Sequence, residues 1–176
     1  MSDNKLTVDD TVLGVAASVA GRACELLADG WVKGKLYDGP GGVSSFCIHG
    51  AINLAIEEVF GDGASAGRSH IDGTRMISSG ASDVEAVAVA FIIDEAAAQH
   101  KYKGGGMFLG AAAFNDAPER KHEEVLSVVG NASKRLWDLS MEQQTDGAGS
   151  GWTPSKWAEV DVSTEEAKNY LYATLN

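Results

Sequence analysis

Asp-Gly pairs fall in the breaks between the predicted helices of this chain, and they constrain its fold more than any other feature. The five pairs begin at Asp29, Asp38, Asp62, Asp72 and Asp146. Asp-Gly favours turns, because glycine reaches left-handed backbone conformations and aspartate hydrogen-bonds nearby amides. Between the pairs, apolar residues recur every three to four positions, as on one helix face. The sequence predicts a compact, single, all-α domain of about five helices with glycine-rich loops, with room for one short hairpin.

The first two predicted helices carry clear apolar stripes. Thr7-Val8-Asp9-Asp10 predicts the start of the first, whose apolar residues recur from Val12 until Asp29-Gly30, and the second starts near Ser44 or Ser45. The stripe of the first contains Ala16, Val19, Ala20, Ala23 and Leu27. The stripe of the second contains Cys47, Ile48, Ala51, Ile52, Leu54, Ala55 and Val59. Gly50 costs that helix about 1 kcal/mol relative to alanine, so we expect another helix or the Trp31 loop to approach it closely.

Helix-start signals predict two further helices. Ser82-Asp83-Val84-Glu85 matches a capping box, which predicts a central helix over about residues 83–100 that is apolar nearly all round. The stretch KYKGGGMFLGAAAF that follows is assigned no helix. Asp116, which is followed by Pro118 and Glu119, then predicts the N-terminus of a fourth helix that runs to about residue 138. The residues that this helix presents to the core are Val125, Val129, Ala132 and Leu136.

The chain is expected to divide into a helical core domain, residues 1–139, and a C-terminal part, residues 140–176. Much of the second part is typical of a flexible connection, and Ser163-Thr164-Glu165-Glu166 predicts the cap of a short final helix that packs on the core. Trp152 and Trp157 lie in the connection. Because exposed tryptophans are good interface anchors, these two are the candidate partner-binding residues.

The charge balance restricts the class of partner. Fourteen Lys and Arg against 25 Asp and Glu give a formal net charge of -11, which opposes binding to nucleic acid or anionic membranes. No apolar run approaches the roughly 18 residues that span a bilayer, and the N-terminus lacks the layout of a secretory signal. Two cysteines inside apolar segments fit a reducing compartment. We therefore expect a cytoplasmic protein that binds neither nucleic acid nor membranes.

No metal or cofactor signature is present in the sequence. Two cysteines and four scattered histidines lack the paired spacing of a zinc site. The acidic residues lack EF-hand spacing, and the glycine-rich loops match neither a P-loop nor a dinucleotide fingerprint. We expect no metal and no cofactor.

Cys47 and His49 form the first candidate site. Residues two apart in a helix point about 200° away from each other, so the two side chains do not form an adjacent dyad. Two interpretations of Cys47 stay open. A helix N-terminus can lower its pKa and produce an enzyme that depends on Cys47, whereas its place in an apolar stripe favours a buried structural cysteine. His49, on the polar face, is expected to be solvated or to contact a loop.

Asn115, Asp116 and Arg120 form the second candidate site. Such residues commonly cap helices and form turns. They could also line a pocket for a small polar, nucleotide-like ligand beside exposed backbone donors. If the Trp31 loop and the two helix starts meet in space, one polar rim would surround an aromatic floor. The full set of candidate ligand-binding residues is Trp31, Cys47, His49, Asn115, Asp116 and Arg120.

Three stretches, GWVKGKLYDGPGG, CIHGAINLAIEEVFG and FNDAPERKHEEVLSVVGNAS, together resemble a family of small uncharacterised proteins of actinobacteria and their phages. The matching positions are Trp31, Gly34, Cys47, Gly50, Ala51, Asn115, Asp116, Pro118, Arg120, Val125 and Leu126. The resemblance covers about residues 10–138. It departs from the family at Phe114, where a tryptophan is usual, and in the loop at 61–81. It implies an origin and no established activity.

These observations favour a non-enzymatic, phage-derived cytoplasmic protein that binds a host protein through its acidic surface and its tryptophan-bearing tail. Two alternatives stay open, a binding protein for a small nucleotide-like ligand and an enzyme that depends on Cys47. The sequence also leaves a homo-oligomer open.

Overall fold

The computed structural model describes residues 12–39, 44–61, 80–101 and 107–145. Its helices are α1 Val12–Asp29, α2 Ile48–Phe60, α3 Ala81–His100, α4 Met107–Asp116 and α5 His122–Thr145, and its strands are β1 Tyr37–Asp38 and β2 Ser45–Phe46. The helices pack into one compact domain. The predicted all-α class and the single short hairpin are confirmed for these residues.

α3 lies at the centre of the helices. Its residues from Asp83 through Ile93 are buried on every side, and it packs against α1, α2, α4 and α5. A helix that is apolar all round has to be covered all round, and the prediction of a central helix is confirmed. The largest fully buried side chains of the core are Phe114, Leu13, Leu27, Ile48, Ile52, Ile56, Ile92, Ile93, Leu136, Val12 and Val19.

α1 and α5 run antiparallel and pack closely through small residues. A Cβ built on Gly14 would lie 3.2 Å from Ser140 Oγ, and one on Gly21 would lie 3.1 Å from Ser133 Oγ. The Ser133 hydroxyl donates a hydrogen bond of 2.9 Å to the Ala17 carbonyl across the two helices. We call Gly14, Gly21, Ser133 and Ser140 the α1–α5 seam.

Most residues predicted on buried helix faces are buried. The confirmed positions are Ala16, Val19, Ala20, Ala23 and Leu27 in α1, and Val125, Val129, Ala132 and Leu136 in α5. In α2 the prediction is wrong near the C-terminus, since Val59 is 50% exposed and Ile56 is fully buried instead. The buried face of α2 near its C-terminus therefore includes Ile56 and excludes Val59.

α2 begins about one turn later than predicted. β2 pairs antiparallel with β1, and Phe46 also forms a bridge with Trp31. Because Ser45 and Phe46 are extended in this pairing, they are not part of the helix. Cys47 becomes the N-cap residue, and Ile48 is the first helical residue.

The largest error of the sequence prediction lies between α3 and α5. The stretch that was assigned no helix contains α4, and Asp116 is the last residue of α4 rather than the cap of the next helix. Proline disfavours helical backbone at the residue before it, so Ala117 ahead of Pro118 ends α4. In the turn that follows, the Arg120 N–H donates to the Ala117 carbonyl at 2.9 Å, and α5 begins at His122.

α3 and α5 both extend further than predicted. The N-cap of α3 is Gly80, and Ser82 is the second helical residue, so the capping box predicted from Ser82 is wrong. α5 continues to Thr145, past the predicted end at residue 138. The rest of the predicted connection, Trp152, Trp157 and the predicted final helix lie outside the described residues.

Candidate functional site

Asn115 joins three parts of the chain at the end of α4, and its side chain is fully buried. Its Oδ1 accepts hydrogen bonds from Trp31 Nε1 at 2.8 Å and from the Ile48 backbone N–H at 3.2 Å. Its Nδ2 donates to the Val32 carbonyl at 3.0 Å and to Asp116 Oδ1 at 2.7 Å. A side-chain amide has two donor hydrogens and two acceptor lone pairs, so its full capacity is used inside the protein.

One of these bonds completes the N-terminus of α2. The first N–H groups of a helix have no partner within it. Asn115 accepts from the Ile48 N–H, and Cys47 Sγ accepts from the Gly50 N–H at 3.4 Å. The Trp31 loop, the start of α2 and the end of α4 therefore meet, as the polar-rim hypothesis required.

Asp116 and Lys33 link the loop after α1 to the turn after α4. Asp116 Oδ1 accepts a hydrogen bond from the Gly34 N–H at 2.8 Å. In the opposite direction, Lys33 Nζ donates to the carbonyls of Ala117 at 2.7 Å and Pro118 at 3.1 Å. The predicted capping role of Asp116 is thus replaced by a tertiary contact.

The Trp31 ring is contacted by two basic side chains. The His122 ring stacks on it, with centroids 5.5 Å apart and planes 9° apart. Lys33 Nζ lies 5.2 Å from the ring centroid, a cation–π distance. His122 Nε2 lies 2.6 Å from the Leu27 carbonyl, and because a carbonyl only accepts, that nitrogen carries the hydrogen. We call Trp31, Lys33, Asn115, Asp116 and His122 the Asn115 junction.

Arg120 makes a separate set of contacts. Its Nε donates to the Phe114 carbonyl at 3.0 Å, and its guanidinium carbon lies 3.8 Å from the Phe114 ring centroid. Arg120 Nη1 donates to Glu124 Oε2 at 3.2 Å. The Lys121 backbone N–H and the Arg120 guanidinium together lower the pKa of Glu124. Arg120 therefore fastens the start of α5 to the end of α4.

Cys47 is buried, with 6% of its surface exposed. Burial raises the pKa of its thiol and outweighs the backbone N–H groups of Gly50 and His49, which lower it. The helix N-terminus therefore contacts Cys47, but it does not lower the net pKa as the nucleophile interpretation required. Burial also raises the pKa of Cys24, which is half-buried and donates to the Leu126 carbonyl at 3.7 Å.

Gly50 allows the loop after Trp31 to cross directly over α2. A Cβ at this position would overlap the Leu36 carbonyl oxygen and would lie 3.2 Å from a Tyr37 ring carbon. The close approach that the sequence predicted at Gly50 is confirmed, and the loop supplies it. His49, the neighbouring residue, is half-buried.

Sequence reasoning missed Lys33 and His122 as members of the junction. The partner of Lys33 is 84 positions away in the sequence and that of His122 is 95 positions away. No local motif links residues at such distances.

Most basic side chains among the described residues form ion pairs or internal hydrogen bonds. The ion pairs are Arg22 with Glu25 and Glu58, Lys35 with Asp38, Arg120 with Glu124, Lys134 with Asp138, and Arg135 with Asp94 and Glu95. Asp29, Glu119 and Glu123 are exposed and form no ion pair in this part of the chain. They lie where His122 joins the end of α1 to the start of α5. We call these three residues the acidic edge; Lys121 lies in the same turn.

Two further observations concern only the ranges that the structure describes. Within them, no group of three or more His, Cys, Asp or Glu side chains is placed to hold a metal ion. No helix in those ranges combines the length and the apolar character that crossing a bilayer requires. The sequence-based expectation of no metal and no cofactor stays a prediction.

Comparison with known proteins identifies a family without an assigned activity. The model of a family of unknown function, DUF6197, matches residues 13–135, a range that contains the whole Asn115 junction. No curated protein and no solved structure matches the chain. The predicted membership in a family of uncharacterised proteins is confirmed, whereas the actinobacterial and phage origin stays a prediction. Because the matched range covers well over half of the sequence, the chain belongs to the DUF6197 family.

Proposed function

We propose that this protein is a non-enzymatic, phage-derived binding protein that acts in the cytoplasm on a host protein. Its acidic edge contacts a basic surface of that host protein, and Trp152 and Trp157 add apolar contacts. The observation that carries the proposal is a contrast between the interior and the surface. The polar groups of the Asn115 junction bond to the chain itself, while the acidic edge presents its carboxylates to solvent.

The hydrogen bonding and burial of the candidate site residues support a binding protein over an enzyme. Asn115 has no donor or acceptor left for a ligand, and the Asp116 carboxylate already accepts two hydrogen bonds. Cys47 is a buried thiol with a raised pKa, so little of it is the reactive thiolate at neutral pH. Activity at Asn115 or Cys47 would require these side chains to release contacts that they now make.

The charge distribution supports a basic partner surface. The formal net charge is -11, and most described cations are already paired, so the field around the protein is negative. Such a field speeds association with a basic surface and opposes approach to phosphate backbones. The acidic edge contributes three exposed carboxylates to this field, at the end of α1, in the turn before α5 and in the first turn of α5.

The test starts with capture of host proteins by the full-length chain, followed by binding measurements with the purified captured protein. We expect the triple variant Asp29→Asn, Glu119→Gln and Glu123→Gln to bind about 3- to 10-fold more weakly at low salt, mainly through slower association, because exposed charges act chiefly on association. Trp152→Ala with Trp157→Ala should weaken binding through faster dissociation.

The matched control is Lys101→Gln with Lys121→Gln, which removes two exposed charges of the opposite sign. This variant should bind at least as tightly as the natural chain. An affinity that is indifferent to the acidic edge and to salt would contradict the electrostatic part of the proposal. Failure to retain any host protein would contradict the function itself.

The two alternatives have different signatures. A non-covalent mass retained by the full-length protein in native mass spectrometry would favour a small-molecule binding protein. Rapid alkylation of Cys47 in the folded protein would favour an enzyme that depends on it.

A further inference from the structure

We infer that His100, the last residue of α3, is a pH-sensitive switch whose protonation releases its contact with Phe114 and loosens the turn between α4 and α5. The His100 side chain is 21% exposed, yet its Nε2 atom is buried. Among the residues that the structure describes, Nε2 is the one buried side-chain polar atom without a hydrogen-bond partner. A buried polar atom without a partner costs free energy, and such atoms are rare unless they have a role.

The surroundings of the His100 ring fit its neutral form. Nδ1 lies 3.9 Å from Glu124 Oε1. On its other side the ring packs against the fully buried Phe114 ring, with centroids 5.5 Å apart. Because a carboxylate only accepts hydrogen bonds, this arrangement suits the tautomer with the hydrogen on Nδ1. Nε2 then carries a lone pair, and its burial hides no N–H group.

Protonation changes this balance. It adds a hydrogen to Nε2 and a positive charge to the ring, and a buried charged N–H without an acceptor is far less favourable than a buried lone pair. The Glu124 carboxylate and the C-terminus of α3 both favour the charged ring. The charged ring therefore gains most by turning Nε2 out of its buried position while it stays near Glu124. Histidine changes its charge between about pH 5 and 8, so we expect this movement in mildly acidic solution.

The charged groups around the ring allow one direction of movement. Glu124 Oε2 already accepts from the Lys121 N–H at 2.9 Å and from Arg120 Nη1 at 3.2 Å, so Oε1 is the oxygen that the charged ring can approach. From α4 the ring meets the uncharged side chain of Phe114. Lys101, the next residue in the chain, is exposed. A charged ring is therefore drawn toward α5 and away from α4.

Phe114 connects His100 to the turn between α4 and α5. The Arg120 guanidinium lies over the same Phe114 ring at 3.8 Å, and Arg120 Nε donates to the Phe114 carbonyl at 3.0 Å. Movement of His100 removes one of the groups that hold the Phe114 ring. It also brings a second cation to the carboxylate that Arg120 binds. Both changes weaken the contacts that fasten the start of α5 to the end of α4.

An NMR titration of the full-length protein from about pH 8 to about pH 5, with labelled histidine and phenylalanine rings, tests the inference. We expect the His100 and Phe114 ring signals to change with the same midpoint. In His100→Gln, residue 100 does not titrate, so the Phe114 signals should be constant across this range. The matched control is His122→Gln, which removes a histidine that contacts Trp31 and Leu27 instead and should leave the Phe114 response intact.

Glu124→Gln tests the carboxylate separately, so the test does not depend on the histidine variant folding well. A neutral amide favours the charged ring less, and the shared transition should move to a lower pH. Because its pKa is lowered, Glu124 itself titrates below this range and does not mimic the transition.

Three results would overturn the inference. A His100 ring that titrates while the Phe114 signals stay constant would show that the charge is accommodated in place. A Phe114 response that persists in His100→Gln would assign the transition to another group. A transition that keeps its midpoint in Glu124→Gln would show that the carboxylate does not attract the ring.

Discussion

The Asn115 junction and the α1–α5 seam both hold distant parts of the chain together, and they do so by opposite means. The junction joins residues 84 positions apart through polar groups that bond to the buried Asn115 amide or to nearby backbone groups. The seam joins residues 116 positions apart through small side chains that let two backbones approach closely. A hydrogen bond from Ser133 to Ala17 accompanies the packing.

This difference teaches that residue type alone does not separate a ligand site from a structural contact. Asn115, Asp116 and Trp31 were ligand candidates because amides, carboxylates and indoles commonly recognise ligands. In the folded protein they bond mainly to one another and to nearby backbone groups. Counting the donors and acceptors that the fold already satisfies is therefore more informative than the residue names.

Loss of the junction amide should have the largest effect on stability. Asn115→Ala removes the partners of Trp31 Nε1, the Ile48 N–H and the Val32 carbonyl, and buried unpaired groups cost about 1–3 kcal/mol each. Allowing for relaxation, we expect the free energy of unfolding to fall by about 4 kcal/mol in urea titrations.

Asn131→Ala is the control for this substitution, because Asn131 is exposed on α5. It should change the free energy of unfolding by less than about 0.5 kcal/mol. A loss at Asn115 no larger than at Asn131 would mean that the junction does not stabilise the fold.

Gly50→Ala should have the next largest effect. Alanine favours the helix by about 1 kcal/mol, but its Cβ would overlap the Leu36 carbonyl, which belongs to the backbone and moves only with the loop. Overpacking of this kind costs about 1–3 kcal/mol, occasionally more, so we expect a net loss of about 2 kcal/mol by thermal or urea unfolding.

Gly14→Ala in the seam is the matched substitution. Its Cβ would lie 3.2 Å from Ser140 Oγ, a side-chain atom that can rotate away. The helix preference of alanine then offsets most of the crowding, and the net change should stay within about 1 kcal/mol. A greater loss at Gly14 than at Gly50 would reverse the proposed ranking of the two contacts.

The alkylation rates of the two cysteines provide a comparison of the α1–α5 seam with the Asn115 junction. Cys24 lies beside the seam, where a Cβ on Gly130 would be 3.6 Å from its Sγ, and Cys47 caps α2 at the junction. Burial raises both thiol pKa values, so both should be alkylated at least about tenfold more slowly than a free thiol.

Peptide mass spectrometry after timed alkylation should show Cys24 reacting faster than Cys47, because Cys24 is only half-buried. In denaturant the two rates should converge. A folded-state rate that is faster at Cys47 would contradict the structural role assigned to this residue.

The smallest effect is the pH dependence of Glu124, at the edge of the junction. Its pKa is lower in the folded protein, chiefly because the Lys121 N–H and Arg120 favour the carboxylate. Its contribution is therefore complete above the ordinary glutamate pKa of about 4.3 and is lost as pH falls through the lower folded value. Solvent screening of this 30% exposed side chain keeps the contribution below about 1 kcal/mol.

Urea titrations of the natural chain and Glu124→Gln across this pH range isolate that contribution. The stability difference between them should shrink as the pH falls below about 5. A stability difference that does not change with pH would mean that Glu124 stabilises the fold by hydrogen bonding and not by its charge.

Local periodicity accounts for what could be predicted of the fold. α1, the buried face of α5 and the central position of α3 follow from the spacing of apolar residues. The close approach at Gly50 follows from the cost of glycine in a helix. The start of α5 could not be predicted, because Asp116 before Pro118 fits a helix start as well as a helix end. Only the packing of α4 and the hydrogen bond from the Gly34 N–H to Asp116 distinguish a helix end from a helix start.

The candidate site was predictable in part of its membership but not in its use. Trp31, Asn115 and Asp116 were identified from residue type, and the structure brings them together. Arg120 was grouped with them, although it contacts Phe114 and Glu124. Lys33 and His122 were missed because their partners lie far away in the sequence.

The sequence by itself determined that α1, α2, α3 and α5 are helical and which faces of α1 and α5 are buried, because both depend on the spacing of neighbouring residues. The tertiary structure decided where Asn115 bonds, what Asp116 accepts and in which direction the pKa of Cys47 moves. These properties depend on which distant groups fill the space around a side chain and on how much water they exclude. Local spacing carries no information about either.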